Sequence, residues 1–372
     1  MGPEALGTRR VTKSARRLSW GARIGLVFFG LFLTCAMLEV GLRVASAIRE
    51  RRAREVMNAS GSKAGEYWAI FDPDLGYRGN PNFGGMNSDG LRDHPIGPKA
   101  GRFRVLQLGD SIAYYGDNVE DTFVGHLRAD LARRPNLRPV DVVNAGIPGY
   151  TNYQELLYLK KYGLSFQPDL VAIEFCLNDL HKFLHSFRVE NGRILPGTYQ
   201  FSAEALSKQR SRPSQFADKS YLWAWTKNNV RTAGKVAAWM ASGGFSFDYA
   251  VDIGSAWRDE AWKDIESQLG EMLALGREHR FRVFVALVPV AAQYNNDYLK
   301  RDRAYVLKPQ QKLKEICERL GIDFYDLYPE MSAALFKDDG IHLTKEGRQL
   351  VGQRIADFLV QSHLLPIISG TE

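Results

Sequence analysis

The stretch Phe103-Arg104-Val105-Leu106-Gln107-Leu108-Gly109-Asp110-Ser111 decides the fold. A strand-length apolar run ends there in a glycine, an aspartate and a serine. A serine in that place sits where a parallel strand gives way to a helix, and that edge of an open α/β sheet is where ligands and nucleophiles are held. Gly-Asp-Ser alone is a common turn. Its weight comes from three later segments. Asn144-Ala145-Gly146-Ile147-Pro148-Gly149 closes a second strand-like run, Asn178-Asp179 follows a third, and Asp339-Gly340-Ile341-His342 precedes the last helical run.

Working outward, the pattern predicts strands at 103–108, 140–144, 169–175, 282–288 and 323–327. Helices are predicted at 121–134, 152–162, 257–279, 303–320 and 345–361. Such alternation implies βαβ units and a parallel sheet covered on both faces. The expected body, residues 67–365, is a three-layer α/β/α domain around a five-stranded parallel sheet. Its lead-in, 67–101, is rich in Gly, Pro, Asn and aromatics and reads as turns and short strands. Residues 181–255 break the rhythm and carry Trp223, Trp225, Trp239 and a basic patch from Lys208 to Arg212. Inserted after the third strand, they read either as a lid or substrate platform or as a cap over apolar surface.

The formal charge of +7 has a local origin. Residues 1–63 hold 12 of the 49 basic and 4 of the 42 acidic residues, a balance of +8, which leaves 37 against 38 in the rest. The body therefore has no electrostatic case for nucleic acid. Three cysteines at unrelated spacings give neither a disulfide framework nor a zinc pattern, and Cys176 and Cys317 read as buried thiols.

A basic tail, 1–19, precedes an apolar stretch, 20–48. From Ile24 to Leu42 only Glu39 is charged, and these 19 residues make about 28 Å of helix, enough to cross a bilayer. Glu39 and Arg43 are spaced to pair on a helix. One reading is a single-pass signal anchor in the inner membrane, with the body periplasmic. Another is a signal peptide cleaved near Ala47, after Ala45-Ser46-Ala47. A third is an amphipathic or buried helix. Basic residues number six before the stretch and five after it (Arg43, Arg49, Arg51, Arg52, Arg54), so charge hardly orients it. Residues 49–66 read as a charged, flexible linker.

Nucleophilic acyl transfer needs a hydroxyl, a base for its proton, a group to orient that base and donors for an oxyanion. Ser111, opening a helix, offers the hydroxyl and a free backbone amide. Gly146 can bring a bare N–H close to a substrate, and the Asn178 side chain is a further donor. Asp339 has the spacing to reach Nδ1 of His342, leaving Nε2 for Ser111. Asp338 lacks that spacing. His181 and His185 are four apart, but no third ligand completes a metal site, and the turn after the first strand is no dinucleotide fingerprint.

At these residues the chain resembles the SGNH (GDSL) hydrolase family over roughly residues 102–363. The four blocks of that family fall on Ser111, Gly146, Asn178 and His342. The resemblance implies a flavodoxin-like fold and ester hydrolysis without a cofactor. Ser111 would be the nucleophile, His342 the base and Asp339 its orienting group, with Ser111, Gly146 and Asn178 forming the oxyanion hole. The implied substrates are esters, including acylated carbohydrates, lipids and small esters. Acyl transfer to a sugar hydroxyl and a non-catalytic binding role are the alternatives. The lead-in Asn87-Ser88-Asp89-Gly90-Leu91-Arg92 also resembles sequence preceding this domain in membrane-anchored bacterial members. One departure stands out: Cys176 replaces the glycine two places before Asn178, which is expected to alter the turn or the pocket floor.

Overall fold

The computed structural model describes residues 19–59, 67–195, 200–201, 220, 222–223, 226, 230, 233–234, 237, 240, 245–247, 250 and 252–368. The chain divides into two units. One holds residues 1–51 with residues 213–231, and the other holds the remainder.

Helix α1 (Trp20–Ala59), most of which lies in the first unit, contains an apolar stretch, Trp20–Ile48, of 29 residues, with mean hydropathy 2.1 over its most apolar 18. By length and composition it could cross a membrane or serve as a signal sequence. The linker expected at 49–66 is helical as far as Ala59, and residues 60–66 lie outside the described residues.

In the second unit, strands β1 (Ala69–Asp72) and β2 (Gly76–Gly79) form an antiparallel hairpin in the lead-in. The main sheet comprises β3 (Phe103–Gly109), β4 (Val140–Gly146), β5 (Leu170–Phe175), β10 (Arg282–Leu287) and β11 (Asp323–Asp326). Between them, β6 (His185–Ser186) pairs with β9 (Gln200–Phe201), and β7 (Val189–Glu190) with β8 (Arg193–Ile194). The main sheet has the order β11-β10-β5-β3-β4 and is parallel throughout. It is the expected doubly wound sheet, with its switch point between β3 and β5, and crevices at such points receive ligands.

Burial of both faces explains why these strands read as continuous apolar runs. On one face Leu106, Leu108, Val143, Ile173 and Val285 pack against α4 (Asn152–Lys161), α5 (Asp259–His279) and α7 (Lys308–Leu320), through Leu159, Trp262, Leu269 and Leu313. On the other, Val105, Val142, Ala172 and Phe284 meet α3 (Phe123–Ala132) and α8 (Lys345–Gln361), through Phe123, Leu127, Val351 and Leu359. The run expected as one helix over 303–320 is two, α6 (Asn296–Val306) and α7, because Pro309 opens the second. Cys317 lies in the first core and Cys176 in the second, so the sheet separates the two thiols.

The insertion does not act as one piece. Ile194, Phe247 and Ile253 are buried in the first core, and Leu184 and Leu195 are buried as well, so these parts cover apolar surface. The basic patch at 208–212, Trp225 and Trp239 lie outside the described residues.

Candidate active site

β3 delivers Ser111 to the carboxyl edge of the sheet. After Gly109 the chain turns at Asp110, whose Oδ1 accepts from the N–H of Ile112 at 2.8 Å and so caps the short helix α2 (Ser111–Tyr114). The lead-in clamps the end of that helix. Arg92 donates to the carbonyls of Tyr114 (3.1 Å) and Gly116 (2.6 Å), and its guanidinium lies 5.2 Å from the Tyr114 ring centroid. Asn87 holds its own turn by accepting from the N–H groups of Asp89 and Leu91, both at 3.0 Å. This gives the Asn87–Arg92 motif a physical task, support of the serine turn.

The loop before α8 brings the other partners. Gly340 adopts φ +73°, its N–H bonds to the carbonyl of Lys337, and its carbonyl receives the N–H of Ala291 from the loop after β10. Asp339 Oδ1 accepts from the N–H groups of Ile341 (2.9 Å) and His342 (2.8 Å), while Oδ2 meets His342 Nδ1 at 2.8 Å. His342 Nε2 lies 2.9 Å from Ser111 Oγ. A carboxylate on Nδ1 fixes the proton there and turns the Nε2 lone pair to the serine. Although burial pushes the Asp339 carboxyl up, those N–H groups and the imidazole pull it below its ordinary value, so it stays charged. Tyr115 stands edge-on to the imidazole at 5.0 Å. Arg348, from α8, donates to the carbonyls of Leu343 (3.0 Å) and Asp121 (2.7 Å) and pairs with the Asp121 carboxylate, which ties the histidine loop to the start of α3.

Across from this triplet lie the donor candidates. The Asn178 side-chain amide gives one hydrogen to Asp110 Oδ2 at 2.8 Å, which leaves its second for a ligand. The expectation for Gly146 changes. Its N–H is spent on Asn144 Oδ1 at 3.0 Å, and it is the last residue of β4. The missing side chain serves packing, because a Cβ there would stand 2.5 Å from that of Ala113 on α2. Three residues on, Gly149 occupies a turn with φ +74°, is buried, and its N–H donates to no acceptor among the described residues. A buried amide without a partner calls for one from outside the chain. Two glycines in Asn144–Gly149 were equally visible in sequence. What separates them is that the strand reaches the first.

A family model of the GDSL-like Lipase/Acylhydrolase family matches residues 108–350, well over half of the chain. The chain belongs to that family. It is thus an ester-hydrolysing serine hydrolase with the α/β/α fold described above. No curated protein sequence matches it. Among solved structures, TesA is 15% identical with a TM-score of 0.41, covering 69% of this chain and 97% of its own. A lipase/acylhydrolase from Enterococcus faecalis is 18% identical with a TM-score of 0.41, covering 72% and 100%. An acetyl xylan esterase, AlAXEase, is 15% identical with a TM-score of 0.38, covering 70% and 99%.

Beneath the serine turn of this hydrolase lies a bed of acids that the sequence reading missed. Asp110, Glu155, Glu174 and Asp179 are all fully or almost fully buried. Burial pushes each carboxyl up, and neighbouring acids add to the effect at Glu155, Glu174 and Asp179. Both oxygens of Glu155, Glu174 Oε1 and Asp179 Oδ1 accept from no donor. The bed supports Asn178, since Asp179 Oδ2 accepts from the N–H of Cys176 at 2.8 Å and its own N–H returns to the Cys176 carbonyl. Cys176 is 0% exposed, a buried thiol as expected, and its backbone belongs to the turn that carries Asn178.

Ligand atoms of Asp110, Glu174 and Cys176 lie within 4.8 Å of one another. Both Asp110 oxygens and Glu174 Oε2 already accept protein donors, and burial pushes the Cys176 thiol well up, away from the thiolate a metal wants. Those donors do not fit a metal. His181 Nε2–H donates to the carbonyl of Asp252 at 2.9 Å, and burial pushes the His185 imidazole down to about 4. Neither is arranged as a metal ligand.

Proposed function

We propose that this hydrolase cleaves an acyl ester on cell-envelope carbohydrate through an acyl-enzyme on Ser111, from a body tethered outside the cytoplasm by its N-terminal helix. The unbroken chain from Ser111 Oγ through His342 to Asp339, at 2.9 and 2.8 Å, carries the reading. Ser111 Oγ attacks the ester carbonyl while its proton passes to His342 Nε2. The charge then on the imidazole is balanced by Asp339. As the tetrahedral centre collapses, the alkoxide leaves with that proton as the free alcohol. A water then attacks the acyl-enzyme, giving one proton to His342, and collapse returns it to Ser111 Oγ and frees the acid. We assign the oxyanion contacts to the N–H groups of Ser111 and Gly149 and the free amide hydrogen of Asn178. Gly149 replaces Gly146 because its amide is unspent. Each such donor is worth about 2.7–4 kcal/mol of barrier.

An ester panel that includes acetylated polysaccharides, run on wild type and Ser111→Ala, tests this. The substitution is expected to lower kcat on the order of 10⁶-fold and to abolish labelling by a fluorophosphonate. Equal labelling of both proteins would refute the nucleophile. Appearance of the acyl group on an added glycan, not in water as the free acid, would reassign the reaction to acyl transfer.

A further inference from the structure

Within its apolar stretch of 29 residues, α1 carries one carboxylate, Glu39. Its Oε1 pairs with Arg43 Nε at 2.7 Å, one turn on. Its Oε2 accepts from two groups 181 and 183 residues away, the hydroxyl of Ser220 at 2.8 Å and the N–H of Leu222 at 2.7 Å. Ser220 Oγ accepts in turn from the N–H of Trp223 at 3.1 Å. Leu222, Trp223, Thr226 and Val230 have helical backbone. The first turn of a helix exposes N–H groups that no residue of that helix can satisfy, and its positive end favours an anion. Here Ser220 satisfies one of these amides and the anchor helix supplies the carboxylate for another.

The position of Glu39 gives this contact a depth. Nineteen residues separate it from Trp20, about 28 Å of helix, which matches the roughly 30 Å of a bilayer's hydrocarbon. With Trp20 at one boundary, Glu39 falls at the other, where a charged group is tolerated if paired. The segment that meets it there has the composition of an interfacial element. Trp223 and Val230, seven residues apart in sequence and each with helical backbone, are 48% and 65% exposed. Residues 213–231 carry Lys219, Lys227 and Arg231 against Asp218 alone. Exposed apolar side chains beside a basic surplus suit the head-group layer of an anionic bilayer.

We propose that α1 stays with the protein after insertion and that Ser220 and Leu222 hold their segment on Glu39 at the membrane surface, giving the chain a second contact with anionic lipid through Trp223 and Val230. The proposal rests on α1 being a membrane span, and it is independent of the ester chemistry. It explains why a segment of the insertion groups with the N-terminal helix. It also argues against cleavage near Ala47, because loss of Glu39 would leave the Ser220 hydroxyl and the Leu222 amide without their acceptor.

The test uses the full chain with Cys35→Ser, since Cys35 is exposed, and Val230→Cys carrying an environment-sensitive fluorophore. The protein is placed in vesicles of phosphatidylcholine alone or with phosphatidylglycerol. The mature chain is expected to retain residues 1–47 and to resist carbonate extraction. Probe emission should shift to the blue, more so with phosphatidylglycerol. Glu39→Ala should reverse the shift while leaving hydrolysis of a soluble ester unchanged, and Glu39→Gln, which keeps an acceptor oxygen, should recover much of it. A chain beginning after Ala47, or one released by carbonate, overturns the retained span. A retained span with water-like emission, or with the same emission in Glu39→Ala, overturns the docking. Loss of ester hydrolysis in every variant would count against the proposed chemistry and leave the membrane readings to be judged by the probe.

Discussion

Carboxylates serve this hydrolase in two opposite ways within one site. Asp339 has a side chain 48% exposed, takes two backbone N–H groups and an imidazole, and is held below its ordinary pKa. Asp110, Glu155, Glu174 and Asp179, under the serine turn, are almost wholly buried and pushed up. Between these lies Asp121, nearly buried yet held down, because Asp117 N–H and the Arg348 guanidinium outweigh the burial that pushes it up. Residue type therefore does not decide charge. The supply of donors does: where donors suffice the carboxylate keeps a charge that can orient a base, and where they fall short it is driven toward the neutral form.

The sharpest way to break the comparison is to remove the charge from Asp339. Asp339→Asn keeps the shape but offers an N–H₂ or a neutral oxygen to His342 Nδ1. Imidazole orientation and support for its positive charge are both lost. A fall in kcat of about 10³–10⁴ is expected with little change in melting temperature, read by steady-state kinetics beside a thermal melt. Retention of most activity would show that Asp339 is a loop brace and that another group orients the base.

A second test strips the donor from the intermediate case. Arg348→Met leaves Asp121 beside α3 with the burial but without its cation. Breaking such a pair costs about 3–5 kcal/mol. Denaturant unfolding should show that loss, and Asp121→Asn in the same chain should recover part of it. Because Arg348 also holds the Leu343 carbonyl, one residue from His342, kcat should fall too. Equal stability of wild type and Arg348→Met would mean that the pair does not organise the loop.

How much of this was legible beforehand follows the range of the contacts. The run from Phe103 to Ser111, the alternating pattern and the Asp339-to-His342 spacing are local signals, and the sheet and the Ser111–His342–Asp339 contacts are found where those signals put them. Gly146 was misjudged because only a side chain two residues away, Asn144, reveals that its N–H is spent. Cys176 is the buried thiol that its place at the end of an apolar run announced. Arg348 with Asp121 and Glu39 with Ser220 join residues 227 and 181 apart, and no periodicity announces such pairs. Glu155 and Glu174 read as ordinary helix and strand residues, since their meaning arises only when three elements close over them.

The finest test concerns the proton on that buried bed. Glu155 sits on α4, one turn after its cap, and is the foremost charged neighbour of Asp179, with Asp110 and Glu174 next. Burial raises its pKa, Asp110 adds to the effect, and no cation among the described residues relieves it. A group whose folded pKa lies above its unfolded value of 4.5 holds a proton in the fold that the unfolded chain has lost. Its contribution to stability is complete below that value and declines as pH rises through the window above it. Glu155→Gln removes the titration and keeps a donor. In that window the slope of unfolding free energy against pH should be shallower than in wild type by up to about 1.4 kcal/mol per pH unit. Glu155→Ala removes the same titration and should show the same shallower slope. If Glu155→Gln keeps the wild-type slope in denaturant series across that window, Glu155 is charged in the fold and the contrast with Asp339 collapses.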